Sequence, residues 1–522
     1  VSVAAAVVLA ALLALAYIAQ MVRWLRVLQR EHYEPRALFR FLGRWTTPQY
    51  PGARSAQRAK PRRPITLSHL LVFGMAAAAI FRAQYVLVVL CGLFGLFTPW
   101  GLSIRGRTSK LEWTKRLRTV AALALLISLI VSALGALTTL PFLGAVVMVV
   151  AVPPVLHLST RLLAPLERRR AQAFVDQARR RLEQVKPRVV AITGSYGKTS
   201  TKNHLATLLS PDFAVVASPR SFNNQAGLSR AINENLADGT QIFIAEMGTY
   251  GPGEIRELTS WCVPEVAVVT AIGPVHLERM KTLDVVESAK REITERASTV
   301  VVNVDDPRLA AWPVSLVSEG KRVLTASSKR DGVDVRVALE ARRWTLFVEG
   351  TNLGTVNEIV GVQPTNLACA IAASLALGVN PATLIDHVGQ VTAVANRLNV
   401  VSAPSGVLVI DDTFNANPAS AVAALDVLSS LDIDGRHVVV TPGLVELGKE
   451  QYGENLRLAQ RIAALPAELV VVGRTNVVAL TAGYDKAPTR FDTRDEAVKW
   501  VRNTLVPGDG VLYLNDLPDH YP

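Results

Sequence analysis

The run Val189-Val190-Ala191-Ile192 passes directly into Thr193-Gly194-Ser195-Tyr196-Gly197-Lys198-Thr199-Ser200-Thr201, and helix-compatible sequence follows. A buried β-branched strand that breaks on glycines into a helix is the arrangement of a phosphate-binding loop. Glycines let backbone N–H groups wrap phosphate oxygens at a helix N-terminus, where the peptide dipoles favour an anion. Gly194, Ser195, Tyr196, Gly197, Lys198, Thr199 and Ser200 are therefore candidate nucleotide-binding residues. Lys198 is placed to neutralise the β/γ-phosphates and the Thr199 hydroxyl to ligate Mg²⁺. Ile192 stands where the strict pattern has its first glycine. A plain glycine-rich strand-to-helix turn is the competing reading.

Outward from this loop, short β-branched runs alternate with helical stretches. They fall at Val189–Ile192, Ala214–Ala217, Ile242–Ala245, Val266–Thr270 and Val300–Val304, then, after a β-rich stretch to about Val360, at Val407–Ile410, Val438–Thr441, Leu469–Val472 and Val511–Leu514. Such alternation predicts doubly wound α/β sheets with ligands at strand C-termini. The loose segment before Arg397 predicts a boundary near residue 390. Glu246 ends the third run, where a carboxylate beside a phosphate loop can hold Mg²⁺ directly or through water. His276 follows the fourth run in Gly273-Pro274-Val275-His276-Leu277-Glu278, and Lys290 comes fourteen residues later in Ser288-Ala289-Lys290-Arg291-Glu292. Each of these three, taken singly, reads as an ordinary structural residue.

Their order and spacing are another matter. TGSYGKTSTK, NNQAG (Asn223–Gly227), AEMG, IGPVHLE, AKREI, NVDDP (Asn303–Pro307), IDDTFNANPAS (Ile410–Ser420) and TPGLVELG (Thr441–Gly448) together resemble the Mur ligase family over about Val189–Leu514. The nearest members are those that add D-alanyl-D-alanine to UDP-N-acetylmuramoyl-tripeptide. The resemblance implies an ATP-dependent, ADP-forming amide ligase working through an acyl phosphate. It implies that Lys198 and Thr199 hold the triphosphate and a first Mg²⁺, that Glu246 and His276 hold magnesium, and that Lys290 works as a carbamate bridging metals. It further implies that Asn303 and Asp305 lie on the adenine side and that Arg397 and Asp412 reach ATP from the C-terminal domain. By the same resemblance Asn223, Asn224, Asn415 and Asn417 lie on the substrate side, the latter two near the incoming amine. Gly361-Val362-Gln363-Pro364-Thr365-Asn366 replaces the family's Gly-x-His-x-x-Asn, and Leu514–Asp519 replaces its Lys-Gly-Ser stretch. Apolar sequence stands where soluble members carry the domain that grips the UDP group.

That apolar third holds all of the basic excess. Residues 1–188 have 27 Lys/Arg against 6 Asp/Glu, whereas residues 189–522 have 29 against 37. A nucleic-acid binder concentrates basic residues on its folded domain, so no nucleic-acid partner is expected. Cys91, Cys262 and Cys369 share no ligand spacing and predict neither a metal site nor a disulfide framework. Uncharged runs at Val1–Val22, Ile65–Phe81 and Ala83–Ile104, and 42 residues without formal charge from Thr119 to Thr160 with a break at Gly135–Pro141, predict five membrane spans. Apart from Arg82, no formally charged residue lies inside these spans, which argues against an ion pathway. Arg23–Arg63 carries 11 Lys/Arg and Arg105–Arg118 six, so the positive-inside rule places both loops, and everything after Arg161, in the cytoplasm. Leu162–Lys186 reads as a basic amphipathic helix leaving the membrane.

The expectation is thus an α-helical membrane region (1–161), a basic linker helix (162–187), and α/β beyond it. The latter comprises a P-loop central domain (188–390) and a Rossmann-like C-terminal domain (391–522). ATP and Mg²⁺ are the expected cofactors. The lipid bilayer, a cell-envelope acceptor and an amino-acid or dipeptide amine are the expected partners of this multi-pass membrane ligase. A membrane-bound poly-γ-glutamate-type synthase, or an ATPase subunit of a transport system, would use the same nucleotide chemistry.

Overall fold

The structure, a computed structural model, describes residues 2–31, 33–34, 38–39, 41, 84–99, 102, 104, 111–138, 142–219, 222–340, 342–359, 361–392, 399–413 and 416–515. It divides into two compact units, one extending to Arg170 and one running from Ala171 to Asp516.

In the first unit, two helices are long and apolar enough to cross a membrane, Val3–Arg30 and Lys115–Ala136. A third candidate is the pair Leu143–Val150 and Val152–Val185, bent by 76° at Ala151. The expected break within the fourth apolar stretch, Thr119–Thr160, is real, since helix ends at Ala136 and resumes at Leu143. Gly135 and Gly144 let the two helices meet there: a Cβ on Gly135 would lie 2.6 Å from the Gly144 nitrogen. Gln84–Phe97 is a 14-residue helix, and the expected span Ile65–Phe81 lies outside the described residues.

The first helix continues past the end of the uncharged run at Val22 to Arg30, and the basic stretch expected to be helical over Leu162–Lys186 is helical, as the continuation of Val152–Val185 through Pro165. Arg23 and Gln20 are buried. Gln20 Nε2 donates to the Gly95 carbonyl at 2.8 Å and Arg23 Nε to the Leu102 carbonyl at 2.9 Å, which satisfies backbone acceptors at and beyond the end of helix Gln84–Phe97. Large apolar side chains such as Val7, Leu15, Ile18, Leu126, Leu129 and Ile130 are exposed on this unit.

The second unit holds two sheets. The first contains β1 (Arg188–Thr193), β2 (Val215–Ala217), β3 (Ile242–Glu246), β4 (Val266–Val269), β5 (Thr299–Asn303), β6 (Arg322–Ser327), β7 (Val335–Glu340), β8 (Arg343–Val348) and β9 (Thr351–Asn357), in the order β2-β3-β1-β4-β5-β6-β7-β8-β9. Neighbours are parallel from β2 to β7 and antiparallel from β7 to β9. Period-two alternation sends Val190, Ile192, Ile244 and Val268 into one core with helices Lys198–Leu209 and Pro364–Ala376. It sends Val189, Ala191, Phe243 and Val269 into another with helices Gln225–Asn235 and Glu254–Trp261. Burial on both faces is why these strands read as unbroken apolar runs.

The second sheet contains β10 (Asn399–Ser402), β11 (Leu408–Asp412), β12 (His437–Thr441), β13 (Ala467–Val472), β14 (Thr489–Phe491) and β15 (Gly510–Leu514), in the order β10-β11-β15-β12-β13-β14. All pairs are parallel except β10–β11. Every β-branched run singled out in the sequence is a strand, to within two residues at each end.

Candidate active site

β1 lies between β3 and β4, and the chain passes from β3 on one side to β4 on the other. Strand order therefore reverses at the C-terminal end of β1, the place where a parallel sheet opens a crevice for a ligand. Gly194–Gly197 form the turn there. Gly197 has φ +78° and is the N-cap of helix Lys198–Leu209, and no side chain caps that helix. Its first N–H groups are thus left for an anion. A Cβ at position 197 would collide with the Asn366 side chain.

Side chains around the loop interlock. Lys198 Nζ folds back to donate to the Gly194 carbonyl at 2.7 Å. Thr199 Oγ1 donates to Glu246 Oε2 at 2.9 Å, and Asn223 Nδ2 donates to Glu246 Oε1 at 3.1 Å. Lys202 Nζ lies 3.2 Å from Glu246 Oε2, both side chains being 2% exposed. The same ammonium donates to the Ser218 carbonyl at 2.8 Å, while Ser218 Oγ accepts the Glu246 N–H. The loop is also tied to β4: Ser195 N donates to the Ala271 carbonyl at 2.7 Å, Gly273 N donates to Ser195 Oγ at 2.9 Å, and Thr270 Oγ1 donates to the Tyr196 carbonyl. The Tyr196 hydroxyl is buried and has no hydrogen-bond partner among the described residues. Burial, then the charges of Glu454 and Asp306, push the phenol above its ordinary range.

His276 has φ +53°, and its Nδ1 lies 2.6 Å from Glu446 Oε2 in the loop after β12. Its ring packs on Tyr250 with centroids 4.6 Å apart. Lys290 is 2% exposed. Burial, then the neighbouring charge of Lys198, push its ammonium well below the usual lysine range.

Comparisons with known proteins agree with this geometry. The Mur ligase middle domain matches residues 192–374, and the Mur ligase glutamate ligase domain matches residues 396–514. The UDP-N-acetylmuramoyl-tripeptide–D-alanyl-D-alanine ligase of Mycobacterium bovis is 30% identical over 358 residues, which cover 62% of this chain and 69% of that enzyme. The chain belongs to the Mur ligase family. The corresponding Mycobacterium leprae ligase is 32% identical over 318 residues, 55% of this chain and 61% of that one, so the chain spans less than two thirds of that relative's length. Crystal structures of MurF from Acinetobacter baumannii (TM-score 0.58, 27% identity, 66% of this chain and 77% of that chain) and of MurF from Thermotoga maritima in complex with ADP (TM-score 0.58, 26%, 66% and 80%) share the fold.

The remaining candidate residues are placed as follows. Asn303 and Asp305 sit at the end of β5: Asn303 Nδ2 donates to the Thr270 carbonyl at 2.7 Å. Burial works to raise the Asp305 carboxyl, but hydrogen bonds from Ser327, Ser328 and Thr365 outweigh it and hold the group below the usual range. Asn224 and Asn417 are helix N-caps, Asn224 Oδ1 accepting from Gly227 N and Asn417 Oδ1 from Ala419 N and Ser420 N. Asp412 is buried at the end of β11. Arg397 and Asn415 lie outside the described residues. Ser200 stands in the first turn of helix Lys198–Leu209.

Lys202, Ser218, Asn366 and Glu446 were not singled out as site residues by the sequence. Lys202 follows Lys198 by one helical turn, a spacing that puts both on one helix face, and it was the one with a readable signal. The donor set fits a nucleotide with Mg²⁺. Thr199 and Glu246 offer hard oxygen ligands, and among the described residues no three His, Cys, Asp or Glu side chains converge. That suits an ion which takes one or two protein oxygens and fills its octahedron with phosphate and water.

Proposed function

We propose that the chain is a membrane-held, ATP-dependent, ADP-forming carboxylate–amine ligase that extends a cell-envelope precursor through an acyl phosphate. One observation carries this reading: Lys198 and Thr199 open an uncapped helix at the strand-order reversal, with Thr199 bonded to the buried Glu246. In this reading residues 188–390 are a P-loop domain and residues 391–522 a Rossmann-like domain. The matched relatives are named for joining D-alanyl-D-alanine to UDP-N-acetylmuramoyl-tripeptide, which makes that dipeptide the first amine to try and a muramoyl peptide the first acceptor.

Bound ATP with Mg²⁺ supplies the phosphoryl group and the charge that makes its transfer feasible. The chain's own residues do the rest. The helix N-terminus and Lys198 neutralise and align the phosphates, and Thr199, Glu246 and His276 hold the metal side. Burial, then the charge of Lys198, push Lys290 towards the free amine that carbamylation requires, and the product would be a carboxylate near Lys198. Asn303 and Asp305 would line the adenine side, and Asp412 would approach from the C-terminal domain, a role that the resemblance also implies for Arg397. The two helices long enough to span a membrane, with the flanking arginines, support a multi-pass anchor with both α/β domains in the cytoplasm.

The test is ADP release by the purified full chain in detergent. Sustained ADP release should need both a carboxylate acceptor and an amine, with no more than about one ADP per enzyme from the acceptor alone, and Lys198→Ala should abolish both. ATP turnover that ignores both substrates would count against the reading, as would a fully active Lys198→Ala.

A further inference from the structure

His276 and Glu446 belong to different lobes of the second unit, one in the loop after β4 and the other in the loop after β12. Both have left-handed backbone, φ +53° and +64°, which is uncommon for residues other than glycine. Strained backbone of this kind persists where the surroundings over-determine it, and both sides are over-determined. The Glu446 loop is held by three buried asparagines. Leu444 N donates to Asn455 Oδ1 at 2.8 Å, Asn476 Nδ2 donates to the Pro442 and Leu444 carbonyls at 3.0 Å, and Asn515 Nδ2 donates to the Gly443 carbonyl at 2.7 Å. The His276 loop is tied to the phosphate loop through Gly273 and Ser195.

We propose that Glu446 is a positioning residue for His276, so that assembly of the metal side of the site depends on where the C-terminal lobe stands. A carboxylate only accepts hydrogen bonds, so the 2.6 Å contact places the hydrogen on Nδ1. In the neutral ring this leaves Nε2 as the nitrogen with a free lone pair. Histidines that serve metals commonly donate their other N–H to a carboxylate, which fixes tautomer and ring orientation. With the side chains 27% and 47% exposed, the pair adds little to stability. Its effect is on orientation. The inference rests on the reading of His276 as a metal-side residue.

The experiment uses the full chain in detergent with His276→Ala, Glu446→Ala and the double variant. The first readout is the Mg²⁺ dependence of binding of a fluorescent ADP analogue, which needs no turnover. The second is the split between kcat and KM for ATP. Glu446→Ala should raise the Mg²⁺ requirement about tenfold or more, with kcat falling more than KM rises and melting temperature unchanged. The double variant should be no worse than His276→Ala. Loss in His276→Ala with wild-type Mg²⁺ dependence in Glu446→Ala, or additive losses, would overturn the role of Glu446 alone. Wild-type behaviour in His276→Ala would remove the metal-side reading and this inference together.

Discussion

Lys202→Met removes one partner of the most enclosed ion pair described in the protein. The Lys202 ammonium lies 3.2 Å from Glu246 Oε2 with both side chains 2% exposed, and it also donates to the Ser218 carbonyl. At an effective dielectric of 20, charges at that distance attract by about 5 kcal/mol. Stranding one member of a buried pair costs roughly 3–5 kcal/mol. For a unit of this length the unfolding entropy is about 0.7 kcal/mol/K, so the melting temperature should fall by roughly 5 °C. Glu246→Gln should lose a similar amount, since it removes the carboxylate charge that faces the buried ammonium. The double variant should be markedly more stable than the two losses added together, because neither charge is then left alone. Thermal melts of the four proteins in detergent measure the cycle. A Lys202→Met protein melting within about 1 °C of wild type, or strict additivity in the cycle, would refute the buried pair.

Four further outcomes follow from the same geometry. Burial lowers His204 to about 4, so the folded state refuses a proton that the unfolded chain accepts near its ordinary value. Stability is then full above about pH 6.5 and falls towards pH 4, by about 2 kcal/mol at pH 5; His204→Leu should flatten that part of the pH–melting curve. Gly197→Ala should abolish binding of a fluorescent ADP analogue, since the new methyl meets Asn366 in a left-handed backbone. Lys290→Ala should lose activity and regain part of it with a short carboxylate in solution, whereas Lys290→Arg should stay inactive. A tag after Pro522 should resist protease added outside intact cells, and one before Val1 should not.

Much of this was legible in the chain. Parallel strands buried on both faces must be apolar without interruption, which is why runs such as Val189–Ile192 and Val438–Thr441 announced themselves. β10 and β14 did not, because Asn399–Ser402 and Thr489–Phe491 are short edge strands with polar residues and no such requirement. The phosphate loop was legible because its chemistry lies in consecutive residues. The sequence could not show that Lys290 is buried beside Lys198, that Lys202 neutralises Glu246, or that Glu446 reaches His276 across 170 residues. Each depends on which strands are neighbours and where the lobes meet.

The central claim is that an acceptor carboxylate takes the phosphoryl group at the loop that begins with Gly194. The most direct measurement supplies a muramoyl-peptide acceptor labelled with ¹⁸O in its reacting carboxylate, together with ATP, Mg²⁺ and D-alanyl-D-alanine, and weighs the released phosphate. Attack of the amine on the acyl carbon of the acyl phosphate breaks the C–O bond and expels phosphate that carries one former carboxylate oxygen, so the account predicts one ¹⁸O per phosphate, matched to amide formed. Phosphate without ¹⁸O, its fourth oxygen taken from solvent, would mean that water, and not the acceptor, attacks ATP, and would contradict it.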